Sequence, residues 1–441
     1  MSSTQPHELT DVAIIGAGLT GLSAAHRLEA RGRDYRLLER LPHVGGHAIT
    51  LEEAGYRFDR TGHLLHLRDA RMRERVLSWI GPYVEVQRRS AVFSHGVYTR
   101  YPYQANTFGL PPQVANDCLM GFIEAHFRKE KPAACNFEEF CRLNFGDGIS
   151  DHFMIPYNSR LWGVHPKEIT AEWCQRFVPL PKLEDVVAGA VGLNDRELGY
   201  NTHFVYPKLG IGALPQGMLD ALPAQSRGER LLLQAQITHV DSAQKQLVLS
   251  DGREIAYRHL ISTAPLDVLL GLMELPEEVS RAAAQLRCTL LYYLDVASSA
   301  PAGKPLHWAY VPEERYPFYR VGCYSNFSPA MAPPGGSCYY VELASREAPD
   351  LTKLLPEVTS GLVEMGLLPS ADALAFARLR RIDHAYVIFD HNYYGALNVI
   401  RPYLESQGIV SAGRYGDWNY SSMEDALLFG ERAADQLSEN A

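Results

Sequence analysis

Asp11-Val12-Ala13-Ile14-Ile15-Gly16-Ala17-Gly18-Leu19-Thr20-Gly21-Leu22 is the stretch that decides the fold of this 441-residue chain. Val12 to Ile15 is a short apolar run of the kind that forms a buried parallel strand. It enters a G-x-G-x-x-G turn, after which Leu22, Ala25 and Leu28 recur at helical spacing and Gly32 is placed to end the helix. Tyr35-Arg36-Leu37-Leu38-Glu39 then reads as a second strand closing on an acid. Each residue type has a task in that order. Gly16 permits the tight turn, Gly18 lets backbone approach a pyrophosphate, and Gly21 lets helix and strand pack closely. The positive end of the helix faces phosphate, and Glu39 is placed to bind ribose hydroxyls. The pattern predicts a dinucleotide site.

Which dinucleotide follows from the next residues. Arg40-Leu41-Pro42-His43-Val44-Gly45-Gly46-His47 brings the chain past the same place on a second Gly pair, and Tyr56-Arg57-Phe58-Asp59-Arg60-Thr61-Gly62-His63 follows. The run resembles the flavoprotein superfamily of amine oxidases, desaturases and sugar-nucleotide mutases, which implies extended FAD. His43, His47, His63 and His66 invite a metal reading. No Cys or acid completes a ligand set there, and no metal is expected.

Composition narrows the partners. A formal net charge of -9 argues against nucleic acid, and an anionic substrate would need locally placed Arg or Lys. No 18-residue apolar run predicts a membrane span, and the N-terminus lacks a basic-then-apolar signal. Seven scattered Cys without C-x-x-C suit reduced thiols, so a cytoplasmic location is expected.

Further along, Met72 to Ile80 reads as a helix. Val84 to Tyr103 alternates around a His95-Gly96 turn and predicts a hairpin, and Pro111 to about Arg176 turns helical. Leu231 to Val240 and Gln246 to Leu249 read as strands, with an Asp251-Gly252 turn leading to Ile255. Val410 to Arg414 reads as a last strand, before a helix opened by capping-box-like Ser422 and Asp425. The fold expected is α/β: a discontinuous Rossmann-like FAD domain (8–82, 206–268, 404–441), an inserted helical domain (105–198) and an inserted mainly antiparallel sheet (83–104, 269–403).

The inserted parts carry the more specific likeness. Arg100-Tyr101-Pro102-Tyr103-Gln104, Met154-Ile155-Pro156-Tyr157-Asn158-Ser159-Arg160-Leu161-Trp162, Ala171-Glu172-Trp173-Cys174-Gln175-Arg176 and Tyr200-Asn201-Thr202 resemble the UDP-galactopyranose mutase family, its longer eukaryotic-type members above all. So do His307-Trp308-Ala309-Tyr310, Tyr316-Pro317-Phe318-Tyr319-Arg320, Asp383-His384-Ala385-Tyr386 and Gly413-Arg414-Tyr415-Gly416-Asp417-Trp418-Asn419-Tyr420.

The resemblance implies roles. Arg176 and Arg320 would clamp a diphosphate as charge-assisted forks. Tyr310, Tyr386 and Tyr420 would bind its oxygens, while Asn158, Trp162 and Asn201 would surround the sugar. Gln104 and Tyr157 would meet uridine. His63 and Arg414 would flank the isoalloxazine. FAD contacts are expected from Gly16, Gly18, Leu19, Thr20, Gly21, Glu39, Arg40, Gly45, Gly46, His47, Gly62, His63, Val240, Gly413, Arg414, Tyr420 and Met423.

The implied reaction interconverts pyranose and furanose forms of a nucleotide sugar, UDP-galactose first. N5 of reduced FAD acts as nucleophile at the anomeric carbon, and NAD(P)H or another reductant supplies activation. Three departures from the family bear on which sugar is used: Thr61 where Gly is expected, a Gly-poor Tyr206–Gly212 run, and a shorter segment after Tyr420. The alternative activity on the same scaffold is an FAD oxidoreductase of the amine-oxidase or protoporphyrinogen-oxidase type.

Overall fold

The computed structural model describes residues 8–130, 132–172, 178–193 and 202–439. β1 (Glu8–Ile15), α1 (Leu19–Ala30) and β2 (Tyr35–Leu38) form the expected parallel unit, with Val12 to Ile14 wholly buried. Such a strand is covered on both faces, which is why it carries no polar alternation. α1 ends at Ala30, and Gly32 takes φ +64° just beyond it. Leu22 and Leu28 are fully buried on α1, each stabilising the unit by about 1.5–3 kcal/mol.

β3 (Thr50–Glu53) and β4 (Tyr56–Asp59) make a separate antiparallel ribbon, followed by α2 (Ala70–Ile80). β5 (Tyr83–Gln87) departs from the reading of a single hairpin. Only β6 (Ser90–Ser94) and β7 (Val97–Arg100) pair about His95-Gly96. Helices α3 (Pro112–Phe127), α4 (Phe137–Ile149), α5 (Ile155–Trp162) and α6 (Leu183–Ala190) come next, and β8 (His203–Pro207) returns to pair with β5. Alternation in sequence could not show that β5 would find a partner beyond the helices.

β9 (Leu231–Leu232) and β10 (Ile237–Asp241) correct a second expectation, that Leu231 to Val240 is one strand. Gln234 takes φ +56° and breaks the run. β9 then pairs with β2, while β10 joins β11 (Gln246–Leu249) at the opposite edge. β12 (Glu254–Ser262) returns parallel to β1 and leads into α7 (Leu266–Gly271). The sheet order is β10-β11-β12-β1-β2-β9, with β18 (Ile409–Ser411) pairing the far end of β12.

A second seven-stranded sheet runs β17-β13-β16-β15-β14-β6-β7. Its strands are β13 (Cys288–Ser298), β14 (Trp308–Tyr310), β15 (Phe318–Cys323), β16 (Ser337–Leu343) and β17 (Leu374–Val387), and all its pairings are antiparallel except β14 with β6. After β17, α8 (Tyr393–Ser406) leads to β18. The last strand is shorter than expected, because Gly413 takes φ +95° and opens a helical turn.

α9 (Met423–Glu439) lies along α1. Ser422 and Asp425 cap it reciprocally, at 2.9 Å (Ser422 N to Asp425) and 3.1 Å (Asp425 N to Ser422 Oγ). Ser23 Oγ donates to the Leu427 carbonyl at 2.7 Å, and Arg27 pairs with Asp435 at 2.7 Å. Among the described residues no helix is long and apolar enough to cross a membrane.

Candidate functional site

The glycine turn is built for close approach. Gly18 caps α1 with no side-chain bond, so the first-turn amides of α1 have no acceptor within the helix. Gly45 crosses beside it, its N–H donating to the Ala17 carbonyl at 2.8 Å, and Gly46 takes φ +60°. Glu39 is 6% exposed and accepts from the backbone N–H of Ala17 (2.8 Å) and Leu41 (2.9 Å), so it braces the turn as well as facing any ribose. Leu232, Gln234 and Ala235 border this corner, through backbone bonds to Glu39 and Leu41. Val240 does not: it sits on β10 with its N–H given to Leu272. Arg40 is exposed, and Met423 opens α9.

The second sheet supplies the charged part. Strand register aligns Tyr310, Arg320 and Glu342 as direct cross-strand neighbours on β14, β15 and β16. Arg320 donates to both carboxylate oxygens of Glu342, at 3.0 and 2.6 Å, and to Tyr386 Oη at 2.9 Å. The Glu342 side chain is wholly buried, and its fork fixes the plane of the guanidinium. Sequence reasoning missed Glu342; a lone acid inside Cys338-Tyr339-Tyr340-Val341-Glu342-Leu343 was the available signal.

Tyr386 links the two arginines. Its ring stacks on Tyr420 at 6.1 Å, and the Arg414 guanidinium lies 4.7 Å over Tyr420 and 5.8 Å over Tyr386. Arg414 is held by the Ser421 carbonyl (2.6 Å) and the Ala385 carbonyl (3.3 Å). Trp162 packs edge-on to Tyr386 at 5.7 Å, and Tyr157 packs edge-on to Tyr310 at 5.3 Å. Tyr310 in turn lies 5.0 Å from Tyr101, over which Arg88 sits at 5.1 Å. A cleft of about 480 Å³ lined by Arg88, Arg89, Arg100 and Tyr101 adjoins this aromatic row. That places cationic side chains locally in a chain whose net charge is negative.

Some expected residues are turned to other partners. Asn158 donates to the Met154 carbonyl at 2.7 Å, and Gln104 donates to the Pro179 carbonyl at 3.1 Å. Arg176 and Asn201 lie outside the described residues, so the pairing of Arg176 with Arg320 is not seen.

Between the two parts runs the Asp59–His63 loop. Thr61 adopts φ +69°, a conformation costly for a branched residue. A Cβ on Gly62 would meet Tyr340 Oη at 2.7 Å. Buried Asp59, unremarked in the sequence, accepts from Thr50 (2.6 Å), Tyr206 (2.5 Å) and the Ile211 N–H (3.1 Å), tying the loop to the Tyr206–Gly212 run. Burial pushes its carboxyl up to about 7.

His47 and His63 carry buried Nδ1 atoms with no hydrogen-bond partner among the described residues. Burial first, then nearby guanidinium charge, holds His47 down at about 3 and His63 at about 4. Unfolded, both protonate near 6.5. Their contribution to stability is therefore complete above pH 6.5 and is lost as pH falls through that value toward 4. A His47→Gln/His63→Gln variant should lose less stability than the parent over that window in urea titrations. Equal losses would contradict the assignment.

A bound flavin suits this frame: glycine backbone and helix amides for phosphate, Glu39 at the corner, and two imidazoles near Arg414 whose buried Nδ1 atoms have no hydrogen-bond partner among the described residues. Residues 19–438 match the flavin-containing amine oxidoreductase family, and the chain belongs to it. Membership implies FAD. Among solved structures, reduced UDP-galactopyranose mutase superposes with a TM-score of 0.91 at 29% identity, over 98% of this chain and 96% of that one. A putrescine oxidase superposes at TM-score 0.67 and 16% identity, over 98% and 100% of the chains, a likeness of fold alone. Among curated proteins, a carotenoid 3,4-desaturase of Haloarcula japonica is 49% identical over 49 residues, and this match spans 10% of that protein's length.

Proposed function

We propose that the chain is a flavin-dependent nucleotide-sugar mutase interconverting pyranose and furanose forms, with UDP-galactose as first substrate and the flavin reduced. The observation that carries this reading is the convergence of Arg320, Tyr386, Tyr420 and Arg414, with Arg320 oriented by buried Glu342. The full-length likeness to a mutase at 29% identity supports it.

The reduced flavin, when bound, supplies the nucleophile for the anomeric carbon at no net electron cost. The protein's part is to keep the departing diphosphate close and stabilised. Arg320 offers fixed positive charge, and the hydroxyls of Tyr310, Tyr386 and Tyr420 offer donors. Burial raises the Tyr310 and Tyr386 phenols above their ordinary value, so both remain protonated donors at neutral pH. Trp162 and Asn158 are assigned to the sugar, and Arg176 to the second fork.

Reduced protein given UDP-galactofuranose should convert it to the pyranose without consuming oxidant. Substrate-dependent oxygen uptake would instead indicate an oxidase, and tight binding without turnover would end the enzymatic reading. Arg320→Lys keeps a charge beside Glu342 but loses the fork. Calorimetry should show UDP binding weakened by roughly 1.5–3 kcal/mol, the scale of a hydrogen bond to a charged group. Unchanged affinity would remove Arg320 from the site.

A further inference from the structure

β17 bulges where it passes the start of β13. Tyr386 pairs with Thr289 and Ile382 with Leu291, so Asp383, His384 and Ala385 together face the single residue Leu290. A bulge of this kind bends a strand and re-aims a side chain. Here His384 turns to the first turn of α7, with Nε2 2.9 Å from each carboxylate oxygen of Asp267. Cys288, a free thiol at the head of β13, stands beside them. Sulfur, imidazole nitrogen and carboxylate oxygen all lie within 4.8 Å of one another, each on a partly exposed residue.

The chemistry of the three donors is specific. Thiolate, imidazole and carboxylate are the ligand types of zinc-class ions, and three protein ligands with an open fourth position form a recurrent zinc geometry. Ligands at zinc distances of about 2.0–2.3 Å stand roughly 3.3–3.8 Å apart, so a small rotation of Cys288 closes the set. The thiol's hydrogen bond is a weak contact of 3.8 Å to the Asp383 carbonyl. Among the described residues, Asp267 has no Lys or Arg ion-pair partner; it pairs with His384. The carboxylates of Asp267 and Asp383 both act on the thiol, although Asp383 is paired with Arg381.

We propose that Asp267, Cys288 and His384 form a binding site for one zinc-class divalent cation, with its fourth position open to water. On binding, the thiol proton passes to solvent as the sulfur takes the ion, and no electrons change hands. The bulge also joins this cluster to the candidate flavin site. The Ala385 carbonyl accepts from Arg414 and from Tyr415, both at 3.3 Å, and Tyr386 accepts from Arg320. An ion holding His384 therefore fixes the segment whose Ala385 carbonyl holds Arg414 and whose Tyr386 hydroxyl accepts from Arg320.

The test uses the full-length, flavin-loaded protein, incubated with zinc chloride, desalted and analysed by atomic emission. One zinc per chain is expected. Cys288→Ser and His384→Gln should each lower zinc affinity more than about tenfold, the scale at which even outer partners of a ligand act. In parallel, cobalt(II) added to the unaltered protein should give tetrahedral visible bands at longer wavelength than the flavin, with a thiolate charge-transfer component. That readout needs no variant to fold. Absence of retained zinc and of the cobalt bands, or zinc retention undiminished in both variants, would overturn the proposal.

Discussion

Replacing Glu342 with leucine should destabilise the protein by about 3–5 kcal/mol, because Arg320 would keep its charge in a largely desolvated place without its partner. The side chains are 20% and 0% exposed, so little water is available to compensate. Arg320→Met should cost a similar amount for the converse reason, leaving a buried carboxylate alone. The double variant should recover much of the loss, since well-packed apolar pairs often replace buried ion pairs with little cost. Urea unfolding of the four proteins forms the cycle. Additive losses in the double variant would mean that the pair is not the coupled unit described above.

Gly21→Ala should abolish stable flavin binding. A Cβ there would stand 1.9 Å from the Gly16 carbonyl oxygen, backbone against backbone, and no rotamer change can relieve it. Overpacking ordinarily costs about 1–3 kcal/mol. Here the displaced groups are the turn itself, so the geometry facing the pyrophosphate goes with it. Gly228→Ala is the control, because a Cβ at that position meets nothing within 4 Å. The measure is the ratio of flavin to protein absorbance after purification. A Gly21→Ala protein carrying stoichiometric flavin would show that the close helix–strand contact is dispensable.

The parts of the fold readable from sequence were those governed by neighbours along the chain. Strand, glycine turn, helix and acid between Asp11 and Glu39 form one local unit, and the cap at Ser422 and Asp425 needs only four residues. Pairing between distant segments was not readable. The apolar character of Leu231 to Val240 is the same whether the run is one strand or two, and only Gln234 at positive φ sends β9 and β10 to opposite edges. Similarly, the run around Val84 and Val86 says nothing of β8, which lies beyond the helices.

The site follows the same division. Arg320, Tyr386, Tyr420 and Arg414 could be named through family likeness, and the structure brings them together. Glu342 escaped notice because its importance comes from register: it is the cross-strand neighbour of Arg320. Asp267, Cys288 and His384 come from three elements and meet only through a bulge. Val240 lies on β10, at the opposite edge of its sheet from β9, a placement set by strand pairing and not by its neighbours in sequence.

The contact of α9 with α1 has a consequence for biosynthesis. Ser23 and Leu427, joined by one hydrogen bond, are 404 positions apart, and Gly430 lies where a Cβ would meet the Thr20 carbonyl at 2.2 Å. The glycine turn emerges from the ribosome about 400 residues before Arg414 and the helix that backs it. A nascent chain therefore offers only half a pocket until α9 has been made, and the cofactor joins once α1 and α9 can pack together.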